Sequence, residues 1–222
     1  KESEAESQME YFIFCFDLIG TFAFALSGAI TGLQKRMDVL GVCVLGLTTA
    51  VGGGITRDLL LGITPPSAFR DPTFLCVALG VSILVFIPWI RRLLFANRRF
   101  YDLLLLWTDS AGLGIFTVCG VQVAMTAGHG ENAILVLFVA VLTGVGGGVL
   151  RDIFAGDRPY IFIKHFYACA ALAGAIVCYL PWRFLPRIPT NWDMIAGFAV
   201  VLVLRICAAH FHWSLPKSEG LD

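Results

Sequence analysis

Two segments of the chain hold residue types that can do chemistry, and hold them in the same order: "TAVGGGITRDLLLGITP" at 49–65 and "TGVGGGVLRDIFAGDRP" at 143–159. Each offers a threonine, three consecutive glycines, an adjacent arginine and aspartate, and then Gly-x-x-Pro. Glycine costs about 1 kcal/mol relative to alanine inside a helix, so a triplet is expected to break or sharply kink the helix that carries it. Carbonyls freed by a break present partial negative charge to a cation, and freed amides present partial positive charge to an anion. Gly52, Gly53, Gly54, Gly146, Gly147 and Gly148 are therefore candidate hinges on an ion path, with Thr49 and Thr143 a turn earlier. The competing reading is close helix crossing, because small residues let backbones approach in membranes. A nucleotide-binding loop is excluded: neither copy carries Gly-Lys-Ser/Thr, and no strand precedes it.

The charged residues beside the glycines need partners. Neighbours on a helix project about 100° apart, so Arg57 is not expected to pair with Asp58, nor Arg151 with Asp152. A two-fold arrangement of the two segments is expected to bring Arg57 toward Asp152 or Asp109, and Arg151 toward Asp58 or Asp17. Such pairs serve as a gate, a structural latch, or both. Asp17 and Asp109 lie early in their own apolar segments, where they act as interfacial caps or as pore acids. Ser27, Thr48, Ser110, Thr117 and Gln122 offer further polar groups, although Ser and Thr in such helices commonly bond their own backbone. Arg205, near the end of the last apolar run, reads as a snorkelling side chain.

The elements that position these residues follow from composition. Of 222 residues, 58% are hydrophobic and 14% charged, with a mean hydropathy of +0.80, against roughly 45–50% apolar residues in soluble domains. An ordinary water-soluble domain is excluded. Apolar runs near the roughly 20 residues needed to cross a bilayer fall at about 11–33, 39–61, 72–90, 101–126, 132–155, 161–180 and 193–212. The fold class is thus an all-α polytopic membrane protein of seven transmembrane helices. Acidic, polar residues 1–10 read as a tail or an expression remnant, and 213–222 as a C-terminal tail. A formal net charge of +0 gives no field to steer nucleic acid. Seven cysteines without a CxxC pair, and isolated histidines such as His129 and His165, form no metal site. No nucleophile, base and orienter come together, so neither an enzyme nor a bound cofactor is expected.

The doubled motif belongs to a longer repeat. Asp17, Gly20, Phe24 and Gly28 recur 92 residues later as Asp109, Gly112, Phe116 and Gly120. Gly52–Gly54, Arg57, Asp58, Gly62 and Pro65 recur 94 residues later as Gly146–Gly148, Arg151, Asp152, Gly156 and Pro159. Residues 11–93 and 101–180 are therefore two copies of a three-helix unit, and 193–212 is a seventh helix. A unit of three spans starts and ends on opposite sides, so its tandem copy enters the membrane inverted, an arrangement that places transporter sites between the halves. Basic residues collect in alternate connections, with Lys35, Arg36, Arg91, Arg92, Arg98, Arg99, Arg158 and Lys164 on one side. By the positive-inside rule that side is cytoplasmic, which places the N-terminus outside and the C-terminus inside.

Seven spans, a three-plus-three repeat and the doubled Gly-Gly-Gly-x-x-Arg-Asp resemble the prokaryotic branch of the trimeric intracellular cation (TRIC) channel family, also labelled a glycine transporter family. The resemblance implies a homotrimer among membrane lipids. Each protomer would hold its own potassium-permeable pore, walled by kinked second and fifth spans. It assigns the hinge positions to Gly52–Gly54 and Gly146–Gly148, and the charged motif to Arg57, Asp58, Arg151 and Asp152. Animal members carry Lys-Glu-Val after the glycines and use it with a phosphoinositide. Here "ITRD" and "VLRD" stand in its place, which implies a bacterial or archaeal plasma membrane. Two functions stay open. One is a channel in which carbonyls and polar side chains stabilise partly hydrated K⁺. The other is a carrier of glycine or another small amino acid, whose halves rock about a midplane site.

Overall fold

Residues 2–163, 166–184 and 190–213 are described by the computed structural model. They form α1 (Glu2–Gln34), α2 (Val39–Leu60), α3 (Ser67–Arg70), α4 (Thr73–Phe86), α5 (Pro88–Phe95), α6 (Arg98–Ala124), α7 (Ala133–Phe154), α8 (Tyr160–Ile163), α9 (Tyr167–Phe184) and α10 (Thr190–His210). A π-helical turn, Met125–His129, extends α6. Among the described residues six helices are long and apolar enough to cross a membrane: α1 from Tyr11, α2, α6 with its extension, α7, α9 and α10. A seventh candidate exists if α4 and α5 count as one span, although they meet at a 76° bend. Pro88 opens α5 and has no N–H to continue the α4 ladder, which accounts for the break at Ile87.

Caps set the two motif helices. The Asp38 carboxylate accepts the Gly41 N–H at 2.8 Å before α2, and the Asn132 side chain accepts the Leu135 N–H at 3.1 Å before α7. Both helices end alike. Gly62 (φ 71°) lets Ile63 N–H reach the Asp58 carbonyl at 2.8 Å, and Gly156 (φ 74°) lets Asp157 N–H reach the Asp152 carbonyl at 2.9 Å. This is the Schellman closure, whose left-handed residue favours glycine.

The glycine triplets do not break the chain. Both α2 and α7 remain helical through all three glycines, so the expected release of backbone groups does not occur. What the glycines supply is proximity. A Cβ on Gly53 would run into the Thr143 carbonyl oxygen of α7, and one on Gly147 into the Thr49 carbonyl oxygen of α2. These contacts are reciprocal between residues 94 positions apart. Phe24 and Phe116, equivalent in the two copies, meet nearby with ring centroids 5.2 Å apart. The backbone separation that any Cβ imposes outweighs the helix penalty of glycine here, because tight packing of small residues drives association in membranes.

Two of the apolar cores show how the helices are joined around this crossing. Phe24, Ile30, Val42, Val85 and Phe116 join α1, α2, α4 and α6, while Val118, Val136, Val139, Cys178 and Met194 join α6, α7, α9 and α10. Two sequence expectations change. Glu2–Gln8 continues α1 and is no separate tail. The sixth segment begins with the short α8, and its long helix starts at Tyr167. Lys164, His165 and residues 214–222 lie outside the described residues.

Candidate functional site

The last turn of α2 buries Arg57 and Asp58, at 3% and 1% exposure. Arg57 Nε donates to Asp58 Oδ1 at 2.8 Å, and its Nη2 reaches Ser67 Oγ at 3.3 Å. The other carboxylate oxygen of Asp58 accepts the Ser67 N–H at 2.7 Å and the Ser67 hydroxyl at 2.6 Å. The last turn of α7 repeats this arrangement: Arg151 Nε donates to Asp152 Oδ1 at 2.9 Å, and Asp152 Oδ2 accepts the Tyr160 N–H at 2.8 Å. In both copies the aspartate holds the start of the short helix that follows, α3 or α8.

The expected cross-pairing is thereby corrected. Each motif arginine pairs with the aspartate next to it, not with the aspartate of the other copy. Cβ directions alone do not fix where a long side chain ends. A guanidinium stands several bonds beyond Cβ, and Ser67 or Tyr160 anchors the neighbouring carboxylate where that long arm can fold back to it.

Beyond this the copies differ. Arg151 Nη1 also donates to Asp109 Oδ1 at 2.6 Å and to Ser27 Oγ at 2.6 Å, which ties α7 to α6 and α1. Asp109 further accepts the Tyr167 hydroxyl at 3.3 Å and lies 3.5 Å from Arg205 Nη2. Arg205 is 3% exposed, with its guanidinium over the Tyr167 ring at 4.7 Å from the centroid. It is a buried counter-charge, not the snorkelling side chain expected from its position. Two arginines and two aspartates balance in this second cluster, as burial of charge requires. Asp17, the counterpart of Asp109, has no hydrogen bond or ion pair among the described residues. With Thr21, Gly54, Arg57 and Ser67 it lines a narrow cleft whose free volume, about 20 Å³, is near that of one water. A second cavity, about 180 Å³, lies against Asp109, Asp102, Tyr160 and Arg205.

Thr49 and Thr143 sit at the α2–α7 crossing, fully buried, and donate to Leu45 and Val139 carbonyls of their own helices, each at 2.6 Å. Thr48 and Thr117 do the same. Gly52, Gly146, Gly148 and Gly54 surround the crossing, where Gly54 alone has no atom closer than 3.7 Å to an added Cβ. Ser67, Tyr160 and Tyr167 complete these clusters as partners, although none of them belongs to the doubled motif. Ser67 and Tyr160 stand nine and eight residues after their aspartates, and this near-match is the signal the chain offers. No group of three or more His, Cys, Asp or Glu among the described residues is placed to hold a metal ion.

Long apolar helices crossing at glycines, with arginine–aspartate clusters sealed at the helix ends, define a polytopic α-helical membrane protein. The family profile described as "Glycine transporter" matches residues 14–89 and again 106–183. The chain belongs to that family, the prokaryotic branch of the TRIC channels. Its relatives include a UPF0126 membrane protein of Deinococcus radiodurans, 42% identical over 85% of this chain and 84% of that one, and YvgT of Bacillus subtilis, 35% identical over 92% and 96%. Among solved structures, one described by "Structural basis for conductance through TRIC cation channels" is 38% identical, covers 94% of this chain and 98% of that one, and superposes with a TM-score of 0.80. A TRIC orthologue from Rhodobacter sphaeroides is 31% identical, with coverage of 90% and 98% and a TM-score of 0.81.

Proposed function

We propose that the chain is a potassium-permeable monovalent cation channel of a bacterial or archaeal plasma membrane. It forms a homotrimer with one path per protomer, running between two inverted three-helix units. α4 makes the third span, after which the chain turns at Ile87 into α5, and α10 makes the seventh, with the N-terminus outside. The reading of two units is supported by the reciprocal Gly53 and Gly147 contacts and by the family profile matching twice. The likeness to TRIC cation channels supports the permeant ion.

One observation carries the mechanism: Asp17 lines a cleft beside Arg57 and Gly54 with no partner among the described residues, while its counterpart Asp109 is held by Arg151, Tyr167 and Arg205. A free carboxylate at the mouth of the α2–α7 crossing attracts a cation and replaces part of its hydration shell. At the other mouth tethered guanidiniums occupy the carboxylate, so the path is closed there. Opening requires Arg151 or Arg205 to leave Asp109. The test is potassium efflux from liposomes holding the purified protein. Asp17→Asn is expected to lower efflux severalfold with an unchanged melting temperature, whereas unaltered efflux contradicts a path through that cleft.

The family profile's description favours a second reading, a glycine carrier. The cavity that Asp109 and Arg205 both line offers one group of each sign, which suits an ammonium and a carboxylate.

A further inference from the structure

A further cavity lies away from both arginine–aspartate clusters, between the end of α1, the turn into α2, and α5. Its volume is about 540 Å³, and Arg36, Arg91 and Arg92 line it together with Leu33, Phe86 and Phe95. None of the three guanidiniums has an ion pair or hydrogen-bond partner among the described residues. All three are exposed, and their guanidiniums gather positive charge on the rim of one cavity with apolar walls, an arrangement suited to an anion that carries an apolar part.

We propose that this cavity binds the phosphate headgroup of an anionic glycerophospholipid. Arg36 stands in a left-handed backbone conformation, φ 58°, in the turn that closes α1. That conformation is uncommon away from glycine, and here it carries a guanidinium at the cavity wall. α5 is short and amphipathic, turns 76° away from α4, and leaves Trp89 74% and Leu93 58% exposed while Leu94 is buried. A helix of this kind lies along the membrane surface, with aromatic and aliphatic groups in the acyl boundary and arginines at headgroup level. Guanidinium forks match phosphate oxygens. The apolar walls distinguish the occupant: inorganic phosphate leaves Leu33, Phe86 and Phe95 in contact with water, whereas the glycerol and upper acyl carbons of a lipid cover them. The site stands on α5 lying at the interface and does not depend on whether the protein conducts ions or carries an amino acid.

The test is native mass spectrometry of the full chain released from detergent after titration with dioleoyl phosphatidylglycerol, dioleoyl phosphatidylcholine or inorganic phosphate. Phosphatidylglycerol is expected to be retained at least about fivefold better than phosphatidylcholine, a preference of the size that cationic side chains give near a membrane. The preference is expected to vanish in an Arg36→Gln, Arg91→Gln, Arg92→Gln variant. It should fall in Arg36→Gly, which removes one cation while relieving its backbone, and persist in Arg158→Gln, an exposed arginine elsewhere. Equal retention of the two lipids, or a preference that survives the triple substitution, overturns the site. Displacement of phosphatidylglycerol by inorganic phosphate at equal concentration overturns the lipid assignment.

Discussion

Arg151 answers two carboxylates, Asp109 and Asp152, whereas Arg57 answers only Asp58, which Ser67 also holds. Removing one member of a buried pair leaves the other charge uncompensated, at about 3–5 kcal/mol. Arg151→Gln is therefore expected to lower the thermal midpoint in detergent much further than Arg57→Gln. Equal losses would show that the Asp109 contact contributes nothing. A double-mutant cycle refines this: Arg151→Gln and Asp109→Asn are expected to couple by about 1 kcal/mol or more, while Arg151→Gln and Asp58→Asn add within about 0.5 kcal/mol. Strong coupling in the second cycle would restore the cross-pairing that projection angles suggest. The sequence made these residues conspicuous because charge in apolar helices is costly. Their partners were illegible because Ser67, Tyr160 and Tyr167 come from separate elements, and because a flexible arginine reaches well outside its own Cβ direction.

Among the helices, the three glycines of α2 are unequal. A methyl group on Gly53 meets the Thr143 carbonyl oxygen, while one on Gly54 meets only the end of the Arg57 side chain at 3.7 Å. Gly53→Ala is expected to cost about 1–3 kcal/mol through overpacking, and Gly54→Ala to be neutral or slightly stabilising, since alanine is the better helix former. Potassium flux and melting temperature measured together check this. A Gly54→Ala protein that is stable but no longer conducts would mean that flexibility, not crossing, is what the triplet supplies. Gly80 in α4 has open space around its Cβ position and provides the neutral control. Span positions were legible from hydropathy almost to the residue for α2 and α7, where capping Asp38 and Asn132 and closing Gly62 and Gly156 punctuate the pattern. The glycine triplet misled because helix propensity is a local quantity. Whether a glycine breaks a helix or admits a neighbour depends on the helix opposite.

At the scale of the whole molecule the two copies are alike at α2 and α7 and unlike where Asp17 and Asp109 stand. The constant 92- and 94-residue spacings make the first fact readable from the chain. The second needs α9 and α10, which bring Tyr167 and Arg205 to Asp109 and leave Asp17 facing the cleft. In the channel proposed above, that difference closes the path at the Asp109 end, and Arg205→Met is expected to raise open probability by freeing one oxygen of Asp109. The most direct measurement is on purified wild-type protein in a planar bilayer under a potassium gradient, with labelled glycine uptake into liposomes of the same preparation. Discrete unitary currents reversing near the potassium potential are the predicted result; saturable glycine uptake without unitary currents would contradict it and make Asp109 and Arg205 a substrate site.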